Sequence, residues 1–199
     1  RLVAPGSGGD PVRNPDVRAG RNLYAFEADR IPAVSAYEVG RQALDQLIAT
    51  YGDTNDGAVP EKLAFSLWSS EAIRHLGVTE AQVLHALGLR PVWNKAGRVT
   101  ALEIISAGEL GRPRIDVVLS VTSVYRDQFD SFMRLLDDAI LRLGDLDEPG
   151  NLVAANSLRI AEQLIAGGLP PDEARRLSRY RIFSNAPGTY RSGVSDVTL

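Results

Sequence analysis

The sequence predicts an α/β fold: a mostly parallel sheet flanked by helices, with a β-hairpin inserted. Three short apolar segments, at 63–68, 115–121 and 181–184, have the length and composition of strands. Longer segments with apolar residues at helical spacing lie between them. Strands that alternate with helices in this way pair in parallel and carry helices on both faces of the sheet.

Residues 1–34 predict an extended N-terminal segment, because glycine, proline and aspartate are frequent there and no periodicity appears. Residues 35–199 predict a single α/β domain. Its first helix begins near Ser35, follows apolar residues at helical spacing and ends near Gly52. A polar surface loop then leads to the first strand, 63–68, which we expect to be short and buried.

The next helix is expected at 80–87. Thr79 and Gln82 have the spacing of a capping box, and Gly88 is a typical helix stop. Short apolar segments on both sides of a polar turn at 94–97 predict the β-hairpin. The hairpin strands are expected at 91–93 and 99–105.

The strand at 115–121 is apolar except for Asp116, as expected for a strand buried on both faces. A long amphipathic helix follows, with apolar residues at helical spacing at Phe129, Phe132, Met133, Leu136, Ile140 and Leu143. Two further helices are expected at 151–166 and 171–179, the second with Pro171 in its first turn. The last strand completes the sheet.

Composition limits the class of protein. The chain has 199 residues, of which 44% are hydrophobic and 24% charged, as in a globular protein with a sizeable core. A net charge of −3 argues against a nucleic-acid partner. No apolar run is long enough to span a membrane. The absence of cysteine excludes disulfides and thiolate metal sites and fits a cytoplasmic location.

The most informative run is 109–117, which places two arginines on a turn before the buried strand. Gly111 and Pro113 make this turn stiff. Arg112 and Arg114 therefore present two planar guanidinium groups, each able to bind a carboxylate through two hydrogen bonds. The alternative for Arg112 is an ion pair with Glu109 that only holds the turn.

Four blocks of sequence carry a family resemblance, and they occur in order along the chain: 20–24 (GRNLY), 60–68 (PEKLAFSLW), 109–117 (ELGRPRIDV) and 181–188 (RIFSNAPG). Together they resemble the large subunit of the ATP-dependent cobaltochelatases, which is homologous to the magnesium-chelatase H subunit. Two further blocks, at 74–78 and 80–84, look closer to the cobalt branch.

The chain also departs from the family pattern. Arg18 and Ala19 stand where members usually have Pro-Thr, and Arg191 stands where glycine is usual. Family subunits are several times longer, so we expect this chain to be an internal segment of one.

The resemblance implies insertion of Co²⁺ into hydrogenobyrinic acid a,c-diamide, a corrinoid tetrapyrrole, in cobalamin biosynthesis. In that family ATP and Mg²⁺ are used by separate AAA-type ATPase subunits, and this chain has no phosphate-binding loop of its own. The segment alone is expected to be inactive. The alternatives are a magnesium-chelatase H subunit acting on protoporphyrin IX, and a non-catalytic module that binds tetrapyrrole or a partner.

Ligands of open α/β sheets bind outside the carboxyl ends of the strands. Glu71 and His75 follow the first strand, Arg126 the second and Ser184 the third, so we expect them to converge. We assign Glu71 and His75 to the catalytic step, with His75 also as metal ligand. The predicted tetrapyrrole-binding residues are Arg21, Asn22, Arg112, Arg114, Arg126 and Ser184.

Three residues have both a functional and a structural interpretation. His75 could be a surface or helix-capping histidine instead of a metal ligand. Trp68 and Trp93 could stack on a macrocycle or belong to the core.

Overall fold

The computed structural model describes residues 27–186. A short 3₁₀ helix at Ala28–Arg30 comes first. The α-helices are α1 (Val34–Thr54), α2 (Ser69–His75), α3 (Val78–Leu87), α4 (Ala107–Leu110), α5 (Ser123–Gln128), α6 (Asp130–Gly144), α7 (Leu152–Ala166) and α8 (Pro171–Leu177). The strands are β1 (Lys62–Leu67), β2 (Leu89–Trp93), β3 (Val99–Ile104), β4 (Asp116–Val121) and β5 (Ile182–Ser184).

Strands β1, β4 and β5 form a parallel sheet in the order β1-β4-β5, and β2 and β3 form a separate antiparallel hairpin. In the sheet, Leu67 is opposite Val121, which is opposite Ser184. The carboxyl ends of all three strands therefore lie in one row. The predicted fold class, a parallel sheet flanked by helices with an inserted hairpin, is confirmed.

Burial differs between the central strand and its neighbour. Val117 and Leu119 of β4 are fully buried, as the apolar run predicted. Strand β1 was also expected to be buried, but Leu67 is its only buried residue. The reason is position: among residues 27–186, β1 is an edge strand with β4 as its single neighbour, so much of its side-chain surface stays exposed.

Helix α3 is the centre of the packing. It lies against α1, β1 and β4, and most of its residues are buried. Such a helix needs apolar residues on all sides, which explains its weak amphipathic pattern. Gly40 of α1 allows close approach, because a Cβ atom there would lie 2.5 Å from both Ala81 Cβ and the Val78 carbonyl oxygen.

The polar exception in β4 is explained by a buried ion pair. The Asp116 carboxylate accepts a hydrogen bond from Arg181 Nε at 2.7 Å, and both side chains are almost completely buried. Asp116 also accepts from Asn156 Nδ2 at 3.0 Å and lies 3.0 Å from Lys62 Nζ. The one charged residue of the strand thus joins β1, β4, α7 and the approach to β5.

Three short helices, α2, α4 and α5, were not predicted from the sequence. Helices α2 and α5 each begin just after a strand of the parallel sheet. Helix α5 has a recognisable start, because the Thr122 hydroxyl accepts a hydrogen bond from the Tyr125 N–H. The predicted capping box at Thr79 is wrong: α3 begins two residues earlier than expected, at Val78, and its N-cap residue is Gly77, which has no side chain to accept a hydrogen bond.

The end of the predicted N-terminal segment belongs to the packed structure. Ile31 is buried in the core, the Ala33 N–H donates to the Leu76 carbonyl at 3.0 Å, and the Pro32 carbonyl accepts from the Trp93 indole at 2.9 Å. The predicted tetrapyrrole-binding residues Arg21 and Asn22 lie outside the described residues.

Candidate functional site

The carboxyl edge of the parallel sheet brings together the residues that follow its three strands. The Thr122 N–H, just after β4, donates to the Leu67 carbonyl at the end of β1 at 3.2 Å. The Ser69 hydroxyl at the start of α2 donates to the Gln128 side-chain oxygen at the end of α5. The bond between Ser69 and Gln128 joins helices α2 and α5 side by side at this edge.

Arg126 joins β4 to β5. Its Nη1 donates to the Asn185 carbonyl at 2.6 Å, and its Nε donates to Asp127 Oδ1 at 2.8 Å. Asn185 directly follows Ser184, which is exposed at the end of β5. Arg126 and Ser184 therefore lie together at the carboxyl edge, as their positions after parallel strands predicted, and Asp127 lies beside Arg126.

The same edge exposes large apolar side chains. Trp68, which directly follows β1, is 56% exposed, and Phe183 of β5 is 52% exposed. Val124 of α5 is also exposed. Aromatic faces beside polar groups suit a flat ligand with a polar rim. We call Trp68, Phe183, Val124, Arg126 and Ser184 the edge surface.

The two tryptophans, each of which could stack on a macrocycle or belong to the core, have different environments. Trp93 is half-buried and packs edge-on against Tyr37, with ring centroids 5.8 Å apart. It belongs to the structural core. Trp68 is exposed and lies where a ligand can reach it.

Glu71 is on α2, close to the carboxyl edge. Its side chain is 44% exposed and pairs with Arg74 on the same helix. Exposed pairs of this kind contribute little to stability and separate readily. The carboxylate is therefore accessible to solvent and to a ligand.

His75 caps the start of α3. Its Nδ1 accepts a hydrogen bond from the Val78 N–H at 3.1 Å, and its Nε2 lies 3.5 Å from the Thr79 hydroxyl. Burial lowers the pKa of His75 below its ordinary value, which favours the neutral ring. In a neutral ring whose Nδ1 accepts, Nε2 carries the proton, so neither nitrogen has a free lone pair for a metal. Metal binding by His75 would require this bond to break.

A metal ion held by His75 would also need other ligands. Within 27–186, no group of three or more His, Cys, Asp or Glu side chains is close enough to hold a metal ion. The described residues supply at most part of a coordination sphere.

Arg112 and Arg114 lie at the other end of the sheet. They precede β4, whereas Arg126 and Ser184 follow the carboxyl ends of the strands. Six residues at a rise of about 3.3 Å place the two ends of β4 roughly 17 Å apart. The sequence placed all four among the tetrapyrrole-binding residues, but the fold divides them between two separate places.

Arg114 is fully used by the fold. All five N–H donors of the guanidinium find acceptors: the Glu148 carboxylate twice, and the backbone carbonyls of Leu87, Gly88 and Ile105. The side chain is 1% exposed. No donor remains for a ligand, so this geometry replaces the expected carboxylate-binding role with a structural one.

Arg112 is held differently. Its Nη1 and Nη2 donate to the backbone carbonyls of His85, Ala86 and Pro113. The expected pair with Glu109 does not form, because Glu109 pairs with Arg90 at 2.9 Å. Arg112 remains half-buried without that carboxylate partner.

Sequence reasoning missed several residues of the edge. Phe183 and Gln128 were not singled out, and Trp68 was not assigned to the site. An aromatic residue at the end of a predicted edge strand was the available signal, because edge strands leave side chains exposed. For Gln128 there was none, since α5 itself was not predicted.

The fold and this edge define an α/β module whose parallel sheet presents an aromatic and polar surface at its carboxyl end. The chain belongs to the CobN/Magnesium Chelatase family, whose model matches residues 1–199. The region at 27–186 contains no helix long and apolar enough to cross a membrane.

Relatives from both metal branches are similar to the chain. It is 41% identical over 196 residues to the chloroplastic magnesium-chelatase subunit ChlH of Oryza sativa subsp. indica, covering 97% of this chain and 14% of that protein. It is 36% identical over 194 residues to the aerobic cobaltochelatase subunit CobN of a Sinorhizobium species, covering 96% and 15%.

A solved structure is also similar. The catalytic subunit of cobaltochelatase from Mycobacterium tuberculosis matches with a TM-score of 0.76 and 37% identity, over 89% of this chain and 15% of that one. The chain thus spans about a seventh of the length of these relatives.

Proposed function

We propose that the chain is a segment of the tetrapyrrole- and metal-binding large subunit of an ATP-dependent cobaltochelatase. The complete enzyme would insert Co²⁺ into hydrogenobyrinic acid a,c-diamide in cobalamin biosynthesis. The observation that carries the proposal is the edge surface, which includes the exposed rings of Trp68 and Phe183 and the guanidinium of Arg126, in a chain of chelatase ancestry.

The edge surface would contact the tetrapyrrole in two ways. The rings of Trp68 and Phe183 offer apolar faces to the macrocycle. The Arg126 guanidinium and the Ser184 hydroxyl offer hydrogen-bond donors to carboxylate or amide groups at its rim. Arg126 is suited to positioning, because its bonds to Asn185 and Asp127 hold it in place.

Metal insertion replaces two pyrrole N–H protons by one Co²⁺, so the enzyme must provide proton acceptors. Glu71 is the candidate at this edge, because its carboxylate is half-exposed and its pair with Arg74 is easily exchanged. We assign the metal step to His75 only on condition that its Nδ1 releases the Val78 N–H. Otherwise His75 acts as a helix cap alone.

The remaining parts of the proposal concern the complete enzyme. AAA-type ATPase subunits would use ATP and Mg²⁺, consistent with the lack of a phosphate-binding loop in this chain. The enzyme would work in the cytoplasm, which fits a chain without cysteine. The segment alone should not insert metal.

A magnesium-chelatase H subunit acting on protoporphyrin IX is the second candidate function. It is favoured by the 41% identity to the rice magnesium-chelatase subunit, compared with 36% to the Sinorhizobium cobaltochelatase subunit. A non-catalytic module that binds tetrapyrrole or a partner is the third.

The test uses the complete subunit with its ATPase partners. Cobalt insertion into hydrogenobyrinic acid a,c-diamide is compared with magnesium insertion into protoporphyrin IX, each with and without ATP. The proposal expects ATP-dependent cobalt insertion and none of the magnesium reaction. Magnesium insertion alone would establish the second candidate, and binding of a ring without insertion of either metal would establish the third.

A substitution connects the activity to the edge surface. Trp68→Ala should raise the KM for the tetrapyrrole roughly three- to tenfold, corresponding to the ~0.5–1.5 kcal/mol of an aromatic contact. Leu158→Ala is the matched control, because Leu158 is an exposed apolar residue on α7. Equal effects of the two substitutions would count against this surface.

A further inference from the structure

A pocket lies near the amino end of β4, away from the edge surface. Its volume is about 510 Å³. It is bounded by α1, the end of α3, the start of β2 and the turn after α4. Arg112 lines it from that turn, and His85 lines it from α3.

Each acidic side chain that lines this pocket already has a basic partner. Glu38 and Asp45 both pair with Arg41, at 2.7 and 3.2 Å. Asp45 also lies 2.7 Å from His85 Nε2. Arg41 is therefore shared by two carboxylates, and Asp45 has His85 as its second partner.

On the opposite wall, Glu109 pairs with Arg90. Arg112 is the lining arginine whose hydrogen-bond partners are all backbone carbonyls, and no carboxylate among residues 27–186 pairs with it. Burial lowers the pKa of Arg112, and the charge of Asp45 opposes this. The Arg112 guanidinium therefore has no carboxylate in direct contact within the described part of the chain.

The three hydrogen bonds to backbone carbonyls use three of the five N–H donors of Arg112 and leave two. Nη1 donates twice and Nη2 once, so Nε–H and the second Nη2–H have no acceptor among residues 27–186. The Nε and Nη2 edge of a guanidinium is the one that matches both oxygens of a carboxylate. The bonds to Ala86, His85 and Pro113 already hold this edge in one orientation.

We infer that this pocket binds a carboxylate group through the Nε and Nη2 edge of Arg112. A fixed, partly desolvated guanidinium binds with less loss of conformational freedom than a mobile surface arginine. The carboxylate is carried either by a small molecule or by an acidic side chain of a polypeptide. This site is independent of the proposed tetrapyrrole surface, because the two lie at opposite ends of β4.

The test measures carboxylate binding by the 199-residue chain directly. The arginine Nε–H signals and backbone amides are followed by ¹H–¹⁵N NMR while succinate is added at constant ionic strength. Succinamide, which has the same shape without charge, is the control ligand. Saturable shifts of the Arg112 Nε–H and the Gly111 amide with succinate alone are expected.

A second titration identifies the source of the carboxylate. A capped Gly-Glu-Gly peptide replaces succinate, with Gly-Gln-Gly as its control. Tighter saturation by the glutamate peptide than by succinate supports a polypeptide source, and the reverse order supports a small molecule. Failure of both to shift the pocket signals would overturn the inference, whatever happens at the tetrapyrrole surface.

Two variants and a control test the role of Arg112. Arg112→Gln should weaken binding at least tenfold, and Arg112→Lys should weaken it severalfold because charge remains but the fork is lost. Arg134→Gln removes a 78%-exposed arginine on α6 and should change nothing. Equal affinity in all three variants would contradict the site. If the Arg112 variants do not fold, the titration of the unaltered chain tests the site. Succinate-dependent NMR shifts at Arg112 and Gly111 support it, and shifts confined to other residues contradict it.

Discussion

Arg112 and Arg114 lie two residues apart on one turn, yet their side chains have different surroundings. Arg114 points into the interior, where Glu148 and three backbone carbonyls take all of its donors. Arg112 lies at the rim of a pocket with part of its guanidinium unused. The sequence predicts a stiff turn with two cations, but burial decides what each cation does.

Arg114→Gln should lower the free energy of unfolding by ~3–5 kcal/mol, because Glu148 and the carbonyls would remain buried without their partner. Urea denaturation of the chain measures this. Arg134→Gln, at an exposed ion pair, should cost less than about 1 kcal/mol. A loss below about 1 kcal/mol in Arg114→Gln would show that the buried network is not a main source of stability.

Within the described range 27–186, Glu80 is a buried acid with no basic side chain as its partner. It is 1% exposed, and its Oε2 and the Tyr125 hydroxyl are buried without a hydrogen bond of ordinary geometry. Burial raises the pKa of Glu80 above its ordinary 4.5, and the hydroxyl of Tyr125 opposes the rise. The folded state therefore holds Glu80 in its protonated form at a pH where the unfolded chain has already lost that proton.

This gives a pH-dependent prediction. As pH rises from 4.5 to the raised value, the unfolded state ionises first and wild-type stability falls. Glu80→Gln avoids that loss, so its advantage over wild type should grow across this range by about 1.4 kcal/mol per unit of pKa difference. Urea melts at several pH values measure it. Glu173→Gln, on α8, is the control; curves for Glu80→Gln and wild type that stay parallel would refute the prediction.

At the scale of elements, the contact between α1 and α3 organises the domain. Gly40 has no room for a methyl group, since the Val78 carbonyl oxygen would lie only 2.5 Å from it. A backbone atom cannot move aside without shifting α3, which also packs against β1 and β4. The close approach of these two helices therefore depends on this glycine.

Gly40→Ala should lower the free energy of unfolding by about 1–3 kcal/mol, despite the higher helix propensity of alanine. Gly144→Ala in α6 is the matched control, because the nearest atom to its added Cβ is 4.0 Å away. That variant should be neutral or more stable by up to about 1 kcal/mol. Chemical denaturation of both compares them, and equal effects would show that close packing at Gly40 is unimportant.

The elements also show how far local sequence can predict the fold. The strand at β4 and the helices α1, α6 and α7 follow from strong periodicity, and the structure has them within a few residues of the expected limits. Helices α2 and α5 are too short for a periodic pattern. The capping box at Thr79 failed because His75, three residues before Val78, already accepts the first free N–H of α3.

At the scale of the whole molecule, topology determines which predicted site residues can meet. Parallel pairing in the order β1-β4-β5 brings Arg126 and Ser184 to one edge, which the sequence could predict. Arg112 is separated from them because it comes before the amino end of β4. The exposure of Trp68 depends on β1 being an edge strand, and strand order is a tertiary property that no local pattern contains.

The central claim is that a tetrapyrrole lies against Trp68 at the carboxyl edge. The chain has two tryptophans, so its indole N–H region in a ¹H–¹⁵N NMR spectrum contains one signal for Trp68 and one for Trp93. Trp93 is an internal control, because its indole N–H is bonded to the Pro32 carbonyl.

The decisive measurement is a titration of the chain with hydrogenobyrinic acid a,c-diamide, with binding monitored by visible absorption and the two indole signals by NMR. The account predicts that the Trp68 signal shifts in proportion to the bound fraction while the Trp93 signal stays in place. A bound macrocycle that leaves the Trp68 signal unchanged, or that shifts both signals equally, would contradict it.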